Sequence, residues 1–157
     1  MTHILAIDPG LCSGWAILHP LGFLSGEIDG GYIPLVDETN EKLDMFDLVV
    51  VEEYVVDSGT SKKTRSYEAF YAIGTLQWLC HVNNIPFVIS PRTAKSFDKN
   101  GDKLKRLGWW RPGHGGHAND AARHLLSEAI KLPEYRQTLL EKLVDPTYNK
   151  RRIARED

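Results

Sequence analysis

Cysteine is scarce in this chain: Cys12 and Cys80 are the only two in 157 residues, and they form no Cys-x-x-Cys pair. That excludes a disulfide-built fold and a cysteine-based zinc site as organising principles. No stretch approaches the roughly 18 uninterrupted apolar residues that a membrane-crossing helix needs. A Walker A motif, an internal repeat and a low-complexity linker are all missing, and no local serine–histidine–carboxylate design suggests covalent hydrolysis. Met1–Gly10 carries neither a basic leader nor a cleavable apolar stretch, so a cytoplasmic protein with no membrane partner is expected. At about 150 residues per domain the length predicts one domain. Hydrophobic residues at 42% and charged residues at 25% are those of a chain with a real core. We expect that domain over residues 1–148 and a polar, basic tail over 149–157.

The formal charge of −2 is no argument for a nucleic-acid partner, but its distribution is. Residues 1–59 hold one basic and eleven acidic side chains, whereas residues 60–116 hold ten basic and three acidic ones. A basic middle can serve as a phosphate footprint while the acidic first third supplies metal ligands. Two solvated faces of opposite charge are the plainer alternative.

The apolar run His3–Ile7 ends at Asp8–Pro9–Gly10 and predicts a buried strand stopped by a turn. Trp15–Leu18 predicts a second strand, with Gly22–Gly26 leading to a third around Gly30–Ile33. Phe46–Val51 predicts a further buried strand, with Glu52 and Glu53 at its end. Phe70, Ile73, Leu76 and Leu79 space one face of a helix over Tyr67–Val82, in which Gly74 offers close packing. Ile85–Ile89 reads as a strand, residues 93–107 as a helix, Trp109–Gly116 as a break, and Ala118–Ile130 and Glu134–Leu143 as helices. This order predicts an α/β fold in which a mixed central sheet is covered by helices.

Two strands thus end in acid. Asp8 at a strand-to-turn junction can bind a divalent cation, with Gly10 allowing close backbone approach; a turn-forming aspartate is the alternative. Glu52 can face the same sheet end, and Glu53, one residue on, points to the opposite face; a surface glutamate pair is the alternative. His117 and Asp120, three apart, share one face of a helical turn and can organise a metal with Asp8 and Glu52. An ordinary helix start would use the same two residues as cap-region side chains.

Ile4–Gly10, Val50–Tyr54 and His117–Ala121 together resemble three motifs of the RuvC family of Holliday-junction resolvases, within the ribonuclease H-like nuclease superfamily. The resemblance spans residues 3–130. It implies a ribonuclease H-like fold, with Asp8, Glu52 and Asp120 as the family's carboxylates. It further implies a fourth site at which many members carry Asp and this chain carries His117, with Glu53 as a neighbour. It also implies a homodimer that uses Mg2+ or Mn2+ to cut branched DNA, four-way junctions above all, into products with 5′-phosphate and 3′-hydroxyl ends. Lys62, Lys63 and Arg65, in the segment Ser61–Ser66, and Arg111, beside Trp109 and Trp110, are candidate DNA contacts. An exposed basic loop and a pair of core tryptophans are the alternatives. Tyr54 and Tyr67 flank the basic segment. Lys95, Lys103, Lys105 and Arg106 enlarge the basic middle, and Lys150, Arg151, Arg152 and Arg155 can add nonspecific phosphate contacts.

Overall fold

The computed structural model describes residues 1–56, 67–113 and 116–144. Five strands form one sheet: β1 (Ile4–Asp8), β2 (Cys12–His19), β3 (Gly22–Asp29), β4 (Leu48–Glu52) and β5 (Phe87–Ser90). Their order is β3-β2-β1-β4-β5. The first three make an antiparallel meander, and β4 and β5 add in parallel on the other side of β1. The helices are α1 (Tyr32–Glu41), α2 (Glu68–Val82), α3 (Asp102–Leu107), α4 (His117–Ala129) and α5 (Pro133–Val144). The expected mixed sheet covered by helices is the architecture present. Among the described residues no helix is long and apolar enough to cross a membrane, and Cys12 and Cys80 are both free thiols.

Side-chain alternation along the two central strands builds two cores. Ile4, Ala6 and Val50 face α4, where they meet Ala121, Ala122, Leu125 and Leu126. Leu5, Ile7, Val49 and Val51 face away from α4 and meet Leu35 of α1 and Ala72, Leu76 and Cys80 of α2. By the same alternation Asp8 and Glu52 continue the α4-facing rows. The chain therefore delivers two carboxylates to the face that the N-terminal turns of α4 cover.

Several expectations shift. The third strand is Gly22–Asp29, not Gly30–Ile33: Gly30 and Gly31 take φ of 103° and 81°, which ends the strand, and Tyr32 begins α1 with Pro34 in its first turn. The buried stripe of α2 is Ala69, Ala72, Leu76 and Cys80, while Phe70 is 41% exposed. A Cβ added at Gly74 would meet nothing within 4 Å, so that glycine serves no close packing. Residues 93–107 split into a 3-10 segment, Arg92–Asp98, and α3, with Gly101 at φ 73° between them. The Asp98 carboxylate accepts hydrogen bonds from the backbone N–H groups of Lys103 and Leu104 and so caps α3. The basic segment with Lys62, Lys63 and Arg65, the tail 149–157 and its four cations lie outside the described residues.

Helix α4 lies directly on the sheet because small residues line the contact. At Gly14 of β2 an added Cβ would sit 1.9 Å from the carbonyl oxygen of His117, so only glycine admits the start of α4 at this height. Gly14→Ala is expected to cost about 1–3 kcal/mol through forced backbone displacement. Gly74→Ala, on an open helix surface, is expected to add about 0.5–1 kcal/mol. Urea unfolding of both variants checks this, and equal effects would contradict the packing described.

Candidate active site

Asp8 and Glu52 end β1 and β4 at the same edge of the sheet, and Asp120 of α4 is tied to Glu52 through Lys95. Asp8 and Glu52 are 8% and 6% exposed and lie within hydrogen-bonding reach of each other. Glu53 turns outward and is exposed, as strand alternation requires. His117 opens α4 and places Nδ1 3.0 Å from Asp8 Oδ2. Asp120, one turn on, is joined to this group by Lys95, whose Nζ lies 2.8 Å from Asp120 Oδ2 and 2.9 Å from Glu52 Oε2. All four residues expected at the site from sequence are thus within one connected cluster. Arg111 is not among them: its guanidinium donates to the carbonyl of Ser25 on β3, away from the cleft that Asp8, Glu52, Glu53, Tyr54, Arg92 and Lys95 line.

Around the start of α4 the backbone is held by side chains from other elements. Gly116, at φ 96°, supplies no side-chain cap; instead Glu27 of β3 accepts a hydrogen bond from the Ala118 N–H. Asn119 is buried and clamps Arg111 from both sides, accepting from its N–H and donating to its carbonyl. Arg123 fixes Asp120, with Nη1 2.5 Å from Oδ1, while its Nε donates to the Asp98 carbonyl. Trp109 stacks on Phe23 with ring centroids 4.5 Å apart, and Lys105 and Arg123 lie over the Trp110 ring. The tryptophans anchor the loop that delivers α4. Tyr54 packs edge-on against Phe70, and Tyr67 is exposed beside Tyr71.

Lys95 was legible only as one cation of a basic stretch, yet it is the residue that ties two carboxylates together. Two further polar groups were missed. His124 is fully buried, with Nδ1 2.7 Å from Ser90 Oγ and Nε2 3.3 Å from Glu52 Oε2. Neither Nε2 nor Oε2 has a directed hydrogen bond.

Burial pushes the Asp8 carboxyl up to about 6, and the adjoining Glu52 adds to the rise, although His117 opposes it. Burial would also raise Glu52, but the polar contacts of His124, Asp8 and Lys95 prevail and hold it down at about 2. Asp8 is therefore the carboxyl of the pair that takes up a proton first as pH falls, while Glu52 stays ionised. The bond to Asp8 raises His117. Burial would lower Lys95, but Asp120 and Glu52 outweigh it and keep the ammonium charged.

The donor set suits a divalent cation: carboxylate oxygens and one imidazole, with Glu52 Oε2 buried and lacking a directed hydrogen bond. The arrangement present is that of a lysine-bridged state. Among the described residues no three His, Cys, Asp or Glu side chains converge on one metal position, and the Lys95 ammonium stands between Glu52 and Asp120 as the resident positive charge.

No protein-family model matches this sequence, and no curated protein does. Solved structures do. The chain is similar to RuvC of Thermus thermophilus in complex with a Holliday junction substrate, at 16% identity and a TM-score of 0.63, over 82% of this chain and 93% of that one. It is similar also to a second Thermus thermophilus RuvC structure, at 15% identity and a TM-score of 0.58, over 81% and 93% of the two chains. This likeness defines a class of fold: the chain has the ribonuclease H-like fold, a mixed five-stranded sheet flanked by helices. Within that class it has the RuvC form of the fold.

The opposite shifts of Asp8 and Glu52 make stability depend on pH in a defined sense. In ion-free protein Asp8, raised to about 6 from 3.8, stays protonated where the unfolded chain has lost its proton, so its contribution falls as pH rises through that window. Glu52, lowered to about 2 from 4.5, contributes stability above its unfolded value and loses it as pH falls towards 2. Urea unfolding in chelator should show wild type losing on the order of 3 kcal/mol relative to Asp8→Asn between about pH 4 and 7. Parallel pH profiles for the two proteins would contradict the raised Asp8.

Proposed function

We propose that this chain is a Mg2+- or Mn2+-dependent endodeoxyribonuclease that resolves four-way (Holliday) junctions by paired phosphodiester hydrolysis, leaving 5′-phosphate and 3′-hydroxyl ends. One observation carries the reading: carboxylates from β1, β4 and α4 belong to one lysine-linked cluster at a sheet end in a fold similar to that of a protein solved on a Holliday junction.

Asp8, Glu52, His117 and Asp120 would hold the divalent ion. Such an ion supplies an activated water and stabilises charge on the phosphate in the transition state. The chain's own residues do the rest. Glu52, ionised and anchored in the core, keeps a fixed negative charge at the end of β4. Asp8, raised by burial, would have to be ionised to hold the ion. Lys95, whose ammonium spans Glu52 and Asp120, would have to give way to the ion, and with Arg92 it lines the cleft as a charge suited to a phosphate. Lys62, Lys63 and Arg65, which lie outside the described residues, remain candidate DNA contacts by sequence, whereas Arg111 is turned from the cleft to the Ser25 carbonyl.

Paired incision calls for two sites. A four-way junction presents two equivalent strands, and a symmetric homodimer offers one copy of the site to each. Flap or fork cleavage by a single copy is the alternative enzyme reading. The lysine bridge supports a third: a branched-DNA-binding protein in which Lys95 permanently replaces the metal.

Mapping of end-labelled products from junction, flap, fork and linear duplex in Mg2+ and Mn2+ separates the three. Symmetric nicks in the junction are expected, with little cutting of linear duplex. Equal cutting of all substrates would reject the junction assignment, and binding without turnover in either ion would favour the binding protein. Glu52→Gln should lower junction cleavage by about 100-fold or more, the scale of several kcal/mol of lost transition-state stabilisation, while junction binding in Ca2+ persists. Glu53→Gln should stay within a few-fold of wild type. The reverse ranking would move the site to the outward glutamate.

A further inference from the structure

We propose that His124 is a positioning residue for Glu52, the middle member of a buried line Ser90–His124–Glu52 that aims the carboxylate from inside the core. The inference rests on the reading of Asp8, Glu52 and Asp120 as a metal-holding site.

His124 is four residues beyond Asp120, on the same face of α4, and it is 0% exposed. Its neighbours on the helix, Ala121, Ala122, Leu125 and Leu126, belong to the apolar core. An imidazole there must find partners for two ring nitrogens or cost stability, whereas a leucine would fill the space without that demand. Nδ1 is matched by Ser90 Oγ at 2.7 Å, and Ser90, also 0% exposed, sits opposite Glu52 in the β4–β5 register. When the serine hydroxyl donates to Nδ1, the ring proton resides on Nε2 and faces Glu52 Oε2 at 3.3 Å.

Nε2 is buried without a hydrogen bond of its own, and Oε2, which it approaches, is also 2.9 Å from the Lys95 ammonium. A group that served only to fill the core would not leave a buried ring nitrogen this close to a carboxylate. The arrangement places a polar wall on the inner side of Oε2, which limits how far the carboxylate can turn inward and keeps its outer side for the cation that Lys95 now represents. Outer partners of ligating carboxylates act in this manner, and their loss commonly costs 10–100-fold in metal affinity.

Direct Mn2+ titration of the whole chain, followed by electron paramagnetic resonance or calorimetry, tests this without any cleavage step. His124→Leu should fold, with a thermal midpoint in chelator at or above wild type, and should bind Mn2+ about 10–100-fold more weakly. His124→Gln, whose amide nitrogen stands near the lost Nε2, should recover most of the affinity. His124→Asn, which reaches only towards Ser90, should not. Wild-type affinity in folded His124→Leu overturns the proposal. Should the leucine variant fail to fold, equal affinities of the glutamine and asparagine variants overturn it instead. Mn2+ binding that Glu52→Gln leaves unchanged would remove the underlying metal site, a failure separate from that of His124.

Discussion

Three carboxylates in a largely buried corner repel one another, and most of the local structure is an answer to that repulsion. Two unit charges about 4 Å apart interact by about 4 kcal/mol at an effective dielectric constant near 20. Burial and this repulsion raise the Asp8 carboxyl, whereas the polar contacts of His124, Asp8 and Lys95 hold Glu52 down. The remaining charge is met by Lys95 between Glu52 and Asp120, by Arg123 on Asp120 and by His117 on Asp8. Each cation comes from a different part of the chain or a different turn of α4. The cluster thereby joins the sheet, the 3-10 segment Arg92–Asp98 and α4 into one charged unit.

That unit exists only because α4 lies low on the sheet. Gly14 accepts the His117 carbonyl at a distance no Cβ could tolerate, and Ala118, Ala121 and Ala122 are small enough to bring the helix down onto β1 and β2. Charge and packing then reinforce each other. The apolar contact holds the N-terminal turns of α4 over the strand ends, and the ion pairs set the rotation of the helix about its axis. Glu27 and Asn119 complete the arrangement by satisfying backbone groups at the helix start and in the loop before it.

How much of this could be read from sequence follows from the range of each interaction. β1 and β4 were legible because buried strands are continuous apolar runs, and the acid at each end is adjacent in sequence. The two-residue period of a strand sends Glu52 and Glu53 to opposite faces, and the resemblance to the RuvC motifs chose Glu52 between them. The helical spacing of His117 and Asp120 is equally local. The third strand was misplaced because Gly30 and Gly31, read as part of it, form the positive-φ turn that ends it. Lys95 was indistinguishable from other lysines, since nothing local tells that a 3-10 segment sets its ammonium between Glu52 on β4 and Asp120 on α4. The link from Ser90 to His124 spans 34 residues and becomes visible only when β5 is placed against β4 and α4 over both.

The central claim is that the Lys95 ammonium holds the place of a divalent cation among Asp8, Glu52 and Asp120. A crystal structure of the chain grown with Mn2+, with the ion located by its anomalous scattering, tests this directly. The account predicts Mn2+ ligated by Asp8, Glu52 and Asp120, with Lys95 Nζ withdrawn from both Glu52 and Asp120. An intact lysine bridge at saturating Mn2+, with the ion bound elsewhere or not at all, would contradict it.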